Sequence, residues 1–339
     1  MSKKSIINLS LAQLQKEFDC LGLPKYTAKQ LMDWVYNKRI TSLEQVTNIS
    51  KQNLKIIEEH FDIGRYTYKL IDTSEDGTKK YLFDTQKGNI ETVMIPEDDR
   101  FTLCISCQIG CKMNCSFCMT GKCGFSANLS AGDIVNQVLS VDESVMLTNI
   151  VFMGMGEPFD NLSEVLKAIE ILTSLWGLAW SPKRITVSTS GLIKGTKEFL
   201  DKTRCHLAVS LHNPFPEERK DIMPIENSNS IKDLIALLKQ YDFTHQRRLS
   251  FEYIVFEGLN DSIRHAQGMV KMLKGIFCRV NLIRFHEVEG LDFKSPNMEK
   301  MQNFRDYLNK NNIISTVRRS RGEDIAAACG QLKNSNKTE

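Results

Sequence analysis

Three cysteines, Cys111, Cys115 and Cys118, stand in a Cys-x3-Cys-x2-Cys spacing. Thiolates so close in sequence can converge on one metal centre without help from distant parts of the chain. A [4Fe–4S] cube has four irons, so three thiolates leave the fourth open to a small molecule. The triplet ends an apolar run, Thr102-Leu-Cys-Ile-Ser-Cys-Gln-Ile-Gly110, and the aromatic Phe117 precedes the last ligand, where it can shield a cluster from water. Zinc and disulfides are the competing readings. A structural zinc site needs a second ligand pair roughly 12–20 residues away, and none stands at that separation. A disulfide framework would suit an oxidising compartment. The N-terminus, Met1-Ser-Lys-Lys-Ser-Ile-Ile, carries no long apolar leader segment, so a cytoplasmic chain with its 10 cysteines reduced is expected.

The composition sets few limits beyond these. The 339 residues are 42% hydrophobic and 25% charged, an ordinary globular balance with room for two or three domains. No apolar run approaches the roughly 20 residues that span a bilayer, so no membrane association is expected. A net charge of +3 neither demands nor excludes a polyanionic partner. The basic residues cluster at Lys79-Lys80, Lys183-Arg184, Arg247-Arg248 and Arg318-Arg319 with Arg321. Such clusters suit a solvated surface or a nucleic-acid face alike.

The elements that must position the cysteines are legible as periodicity. Residues 1–62 read as a small helical unit, with Leu31, Trp34 and Val35 forming one stripe and residues 43–61 giving two short amphipathic helices. Packing cap and RNA-binding module are both open for it. Residues 63–100 hold two strand-like runs, 80–84 and 90–95, bounded by Asp76-Gly77 and Lys87-Gly88-Asn89, which predict a short antiparallel extension. From 101 to 332 the pattern becomes strand then helix, repeated. Strands are expected at 102–107, 149–155, 184–190, 206–212, 249–256, 279–285 and 314–319. Asn161 precedes one helical stretch and Asn229-Ser230 can cap another. This alternation predicts parallel strands with helices outside, as a barrel or an open sheet, with the chemistry at the C-terminal ends of the strands. The polar tail 333–339 is expected to be disordered.

The remaining unusual residues fall at those strand ends. Gly154-Met155-Gly156-Glu157-Pro158 follows the strand at 149–153, where glycines let backbone approach a ligand and Glu157 can accept hydrogen bonds from an ammonium group. Ser188-Thr-Ser-Gly191 and Ser210-Leu211-His212 end the next two strands and suit a ribose or a carboxylate, although turn and capping roles explain such residues equally well. On residue type alone, Cys329 is a small apolar residue in a terminal loop, Cys104 a buried strand residue and Glu91 an exposed edge-strand carboxylate.

Taken together, these motifs resemble radical S-adenosylmethionine (SAM) enzymes, and within them the RlmN-type methyltransferases, close relatives of the Cfr resistance methylases. The resemblance covers roughly residues 25–332. It rests on Tyr26-Thr-Ala-Lys-Gln-Leu-Met-Asp-Trp-Val-Tyr36, Glu91-Thr-Val-Met-Ile-Pro-Glu-Asp-Asp-Arg100, the cysteine segment, the strand-end motifs above, and Arg318-Arg-Ser-Arg-Gly-Glu-Asp-Ile-Ala-Ala-Ala-Cys-Gly-Gln-Leu332. It implies a partial (β/α)6 barrel, a [4Fe–4S] cluster on Cys111, Cys115 and Cys118, and SAM held by Gly156, Glu157, Ser188, Ser210, Leu211, His212 and His286. The implied reaction is methylation of carbon 2 of an adenine in the peptidyl-transferase region of 23S rRNA, and of the adenosine 3′ of the anticodon in some tRNAs. Carbon 2 is electron-poor and cannot attack SAM directly. In the family, one SAM therefore methylates a cysteine, here Cys329, and a second, cleaved reductively, activates that methyl group by hydrogen abstraction. Glu91 matches the base that removes the carbon 2 proton. Cys104 matches the thiol that releases the product through a transient disulfide with Cys329. A flavodoxin or ferredoxin donor and a monomeric chain are expected.

The sequence departs from the family in four places. His286-Glu287 replaces a usual Asn-Pro, Cys107 stands where serine is expected, Met119 replaces alanine or serine, and Cys123 is extra. Three other readings compete: a Cfr-like enzyme acting on carbon 8, a radical SAM activase with no use for Cys329, and a non-enzymatic iron–sulfur or zinc RNA-binding module.

Overall fold

The structure, a computed structural model, describes residues 3–245, 247–288 and 290–333. Runs rich in β-branched and aromatic residues form a ten-stranded sheet. Its strands are β1 Tyr68–Thr73, β2 Lys79–Thr85, β3 Gly88–Glu97, β4 Arg100–Cys104, β5 Asn149–Phe152, β6 Ile185–Thr189, β7 His206–Ser210, β8 Leu249–Val255, β9 Arg279–Arg284 and β10 Ile314–Arg318. They lie side by side in chain order. Strands β4 to β10 are parallel, while β1 to β4 are antiparallel. The extension is therefore three strands fused to the core sheet, not a separate small sheet. It also places Glu91 mid-sheet between β2 and β4 and buries it, against the reading of an exposed edge carboxylate.

Six helices cross between successive parallel strands: α4 Ala131–Ser140, α5 Leu162–Thr173, α6 Ile193–Lys202, α7 Ile231–Leu238, α8 Ile263–Leu273 and α9 Met298–Lys310. This is the expected partial barrel. It stays open, because β10 pairs with β9 alone and β4 with the antiparallel β3. Local chemistry starts the helices. Ser130 and Asp133 form a reciprocal capping box on α4, and Ser230 Oγ accepts from Lys232 N at 3.2 Å on α7. Asn161 does not cap α5; its Nδ2 donates to the Cys107 and Leu129 carbonyls at 2.9 and 2.8 Å.

Ahead of these lie three N-terminal helices, α1 Leu11–Cys20, α2 Lys25–Met32 and α3 Lys51–His60. The stripe at 26–36 continues past α2 as one wide turn over Asp33–Asn37, and of the two helices expected at 43–61 the first is a single tight turn, Leu43–Gln45. Leu31, Val35 and Tyr36 are buried, and Tyr36 meets Trp176 of the core edge-to-face at 6.2 Å.

The cysteine segment projects from this frame as a closed loop. Gln108–Gly110 pairs with Phe125–Asn128, and Cys111 N donates to Gly124 O at 3.0 Å. Gly110 sits at φ +75, and a Cβ there would fall 1.7 Å from Gly124 O. Both strain and overlap oppose any side chain. Gly110→Ala should therefore destabilise the chain by about 2 kcal/mol or more, read as a fall of several degrees in the thermal midpoint.

Candidate active site

A cavity of about 150 Å³ opens at the C-terminal ends of β5 to β8. Cys111, Cys115 and Cys118 line it from the loop, and Gly156, Glu157, Ser188, Ser210 and His212 from the strand ends; Cys329 closes it from the C-terminal segment. Leu211, between Ser210 and His212, is fully buried and does not line the cavity; its N donates to Glu252 O at 2.9 Å and its carbonyl accepts from Arg219 Nε at 3.0 Å. Phe117 is buried beside the thiols, against His212 at 4.9 Å and Phe256 at 5.5 Å.

Each wall has a local cause. Gly156 adopts φ +102, and a Cβ would lie 2.5 Å from Gln108 Cβ, so the backbone passes here only as glycine. Gln108 locks the approach: its Oε1 accepts from Glu157 N at 2.8 Å, while its Nε2 donates to Asn128 and Asp160 at 2.8 and 2.7 Å. Glu157 accepts from Thr189 Oγ1 and Ser190 N, both at 2.7 Å, which ties the β5 loop to the end of β6. Burial pushes its carboxyl above the usual range, against these hydrogen bonds. His212 is held in a left-handed turn (φ +53), with Nδ1 accepting from Ile254 N at 3.0 Å. Burial, with a smaller push from the Arg219 charge, lowers its pKa to about 3, so the ring is neutral with its proton on Nε2.

Arg219 escaped the sequence reading. Flanked by Glu217, Glu218 and Lys220, it looks like surface, yet it is fully buried. Its guanidinium donates to Ser190 O, Ser210 O and Leu211 O at 2.7, 2.9 and 3.0 Å and pairs with Glu226 at 2.5 Å. Glu252 and Arg318, which also line the cavity, were missed as well.

The segment after β10 runs as a strap over the extension. Asp324 accepts from Ser74 Oγ at 2.5 Å and Glu75 N at 3.2 Å, and Lys80 Nζ donates to Ile325 O at 2.6 Å. Gly330 O accepts from Met119 N at 2.8 Å, and Leu332 O from Thr120 Oγ1 at 2.7 Å. Cys329 is thus pinned between the cysteine loop and the strap. Cys104 and Cys329 are both free thiols. Burial first, then the neighbouring Cys329, pushes Cys104 up to about 12, and the Arg318 cation responds to both sulfurs. Glu91 lies on the same sheet face as Cys104, since Val93, two residues on, pairs with it. Its carboxylate lies beneath the strap in a neighbouring hollow, accepting from Lys333 N at 2.9 Å, with Lys80 Nζ at 3.5 Å. His286 lines a smaller adjoining hollow that shares Cys329, Arg318 and Ile283 with the thiol cavity; its Nε2 meets Ser320 Oγ at 2.5 Å and Nδ1 meets Glu323 at 3.1 Å. Of the departures, Cys107 is buried and hydrogen-bonded through its backbone, and Cys123 is exposed. The tail beyond Lys333, expected to be disordered, lies outside the described residues.

Among the described residues no three His, Cys, Asp or Glu side chains gather to hold a single metal ion. The three thiols instead ring a cavity, which suits a cluster whose irons stand apart. Burial pushes all three thiols up, Cys111 to about 12, a cost that coordinated cations offset. Two buried polar atoms on the same wall, Ser190 Oγ and Glu252 Oε2, have no hydrogen-bond partner among the described residues. A polar ligand would satisfy them. The donor set fits a cluster carrying SAM.

Comparison with known proteins agrees with this geometry. The family model for the radical SAM superfamily matches residues 105–267, and that for the ribosomal RNA large subunit methyltransferase N-terminal domain matches residues 4–63. The probable dual-specificity RNA methyltransferase RlmN of Parabacteroides distasonis is 53% identical over 98% of this chain and 97% of its own. The dual-specificity RNA methyltransferase RlmN of Desulfotalea psychrophila is 39% identical over 99% and 97%. The crystal structure of a radical SAM methyltransferase from Sphaerobacter thermophilus is similar with a TM-score of 0.92 at 36% identity, covering 98% of this chain and 100% of that one. No helix among the described residues is long and apolar enough to cross a membrane. Likeness that runs the full length of both chains at these identities shows that this chain belongs to the RlmN family within the radical SAM superfamily.

Proposed function

We propose that the chain transfers a methyl group to carbon 2 of adenine in 23S rRNA and in tRNA, through a methylated Cys329. The observation that carries this reading is the meeting of the cysteine triplet, the strand-end motifs and Cys329 on one cavity. In this proposal Cys111, Cys115 and Cys118 hold the cluster, and Gly156, Glu157, Ser188, Ser210, Leu211 and His212 hold SAM. His286, which shares an adjoining hollow with Cys329 and Arg318, completes the SAM-holding set in this proposal. When bound, the cluster and SAM supply a methyl group and the one-electron chemistry that activates it.

The chain's own residues do the rest. Cys329 would attack as thiolate: its sulfur–carbon bond forms as the methyl–sulfonium bond of one SAM breaks, and S-adenosylhomocysteine leaves. Once that methyl has given up one hydrogen atom, its carbon is carried to the adenine ring. The Arg318 cation stands beside both sulfurs. Glu91 takes the proton from carbon 2 as the ring adduct gives up one electron, which the bound cluster would accept, restoring the aromatic ring. The place of Glu91 on the Cys104 face, under the strap that bears Cys329, supports that role. Cys104 then attacks the Cys329 sulfur; a sulfur–sulfur bond forms, the sulfur–carbon bond breaks, and its electron pair leaves with the product methyl carbon, which takes a proton. Reduction of the disulfide resets the pair.

Residues 1–62 serve as an RNA-binding unit, 63–100 as the extension that seats the strap, and 101–332 as the catalytic core. A low-potential donor of the flavodoxin or ferredoxin class, action as a monomer and a cytoplasmic setting belong to the same proposal. A Cfr-like action on carbon 8 is the second reading, kept for the shared cysteine chemistry.

Nucleoside analysis of both RNA pools decides between them. Loss of the gene should remove 2-methyladenosine, whereas loss of 8-methyladenosine alone would support the second reading. Cys329→Ala should reconstitute with about four irons per chain yet make no methylated RNA; product from that variant would sink the relay. Cys104→Ala and Glu91→Gln should instead accumulate RNA bound covalently to the chain, seen as a slow band on denaturing gels.

A further inference from the structure

Two basic pairs noted in the sequence, Lys183-Arg184 and Arg247-Arg248, lie far apart along the chain and remain unused by the site above. Parallel pairing brings them together. Thr186 pairs with His206, Leu207 with Leu249, and Ser250 with Arg279. The strands β6 to β9 thus open side by side with Lys183, His206, Arg248 and Arg279 in one row. This row is the N-terminal rim of the sheet, opposite the strand ends that carry the thiols.

The rim encloses a hollow of about 330 Å³, lined by these four residues together with His245, Arg247 and Phe277 and, among the described residues, by no aspartate or glutamate. Arg247 is buried and donates to the Leu200 and Thr203 carbonyls, so it is structural. Lys183, Arg248 and Arg279 are exposed, and none forms an ion pair among the described residues. Their charges are felt locally. Burial first, then Arg248, Lys183 and Arg247, hold His206 down at about 4, leaving it neutral, while Arg279 and Arg100 act against Arg248. Cations held this close repel one another, and an anion relieves that repulsion; the carboxylates Glu97 and Glu252 line the adjoining inner cavity, not the hollow. Phe277, 58% exposed, adds an aromatic face to the hollow, the combination that binds single-stranded nucleic acid. A polar cavity of about 260 Å³ shares His206, Arg248 and Arg279 with the hollow, then runs inside the sheet to Met153, Glu252 and Arg318 on the wall of the thiol cavity. The rim and the site thus share walls with one inner cavity.

We propose that this hollow is a second RNA contact, holding a nucleotide of the substrate away from the target adenine: its phosphate on Lys183, Arg248 and Arg279, its base on Phe277. The inference rests on the RNA-methylating reading and deepens it. Carbon 2 is unreachable while the target base is stacked, so the base must be turned out, and backbone contacts elsewhere must hold the RNA while it is. The seven residues of β8 separate rim from strand end by about 20 Å, too far for one nucleotide to occupy both.

The test uses the full chain, reconstituted, with a tRNA transcript and a transcript of the peptidyl-transferase region. Arg248→Glu with Arg279→Glu should raise KM for RNA at least tenfold and leave kcat within about twofold. The slope of log affinity against log salt should also flatten by about one to two. Phe277→Ala, which changes no charge, should weaken binding roughly 5- to 100-fold without moving the salt slope, and it decides the matter if the charge reversal fails to fold. Folded variants with unchanged KM and slope overturn the site. Loss of AMP binding with unmoved RNA kinetics overturns it too, in favour of a free nucleotide. A wild-type chain whose RNA binding depends on the rim but which methylates neither transcript supports the site and refutes the methylating reading alone.

Discussion

The site stands on one buried cation. Strands β6 and β7 end side by side, and their last carbonyls point where no further strand continues the ladder. Arg219 satisfies three of them and is itself neutralised by Glu226, whose carboxylate also accepts from Ile231 N at 3.0 Å at the start of α7. A single guanidinium thus joins two strand ends, a short helix and a crossover helix. Its planar fork of donors is what makes this possible; an ammonium could not reach the same set in one geometry. Removing one partner of such a buried pair typically costs about 3–5 kcal/mol, because the other charge is stranded. This cation braces the floor that carries Ser188, Ser210 and His212.

A second constraint comes from the extension. Its three antiparallel strands occupy the flank where a closed barrel would continue, and so leave the parallel arc open. They also furnish Ser74, Glu75 and Lys80, which grip the strap. The fold trades closure for a seat on which Cys329 can be held near Cys104. The same strap covers Glu91, so three residues distant in sequence share one small region by way of one crossing segment.

The sequence exposed the parts of this arrangement that are local and hid those that are not. The cysteine triplet and Gly154–Gly156 are spaced within a single loop, so their chemistry survives in the linear text. The seven parallel strands and their crossover helices are likewise written in periodicity. Arg219 was hidden because its partners come from three other elements and its neighbours are charged. The burial of Glu91 was hidden too, since it depends on Lys333, 242 residues away. Asn161 carries a capping residue's chemistry but spends its amide on two carbonyls of the cysteine segment, a choice only tertiary packing can dictate. For Glu91 and Cys104, residue type alone gave no role, and the family resemblance supplied one.

The two thiols of the proposed relay differ sharply in exposure: Cys329 lies open while Cys104 is sealed in the sheet, where burial first, then Cys329, pushes it up to about 12. A sulfur so rarely ionised makes a poor target for stray oxidants and foreign disulfides. Selectivity here comes from insulation, because the interior sulfur can meet no electrophile that the outer one has not first delivered. The inner sulfur of such a pair would stay armed in a crowded thiol pool, the outer one alone meeting it.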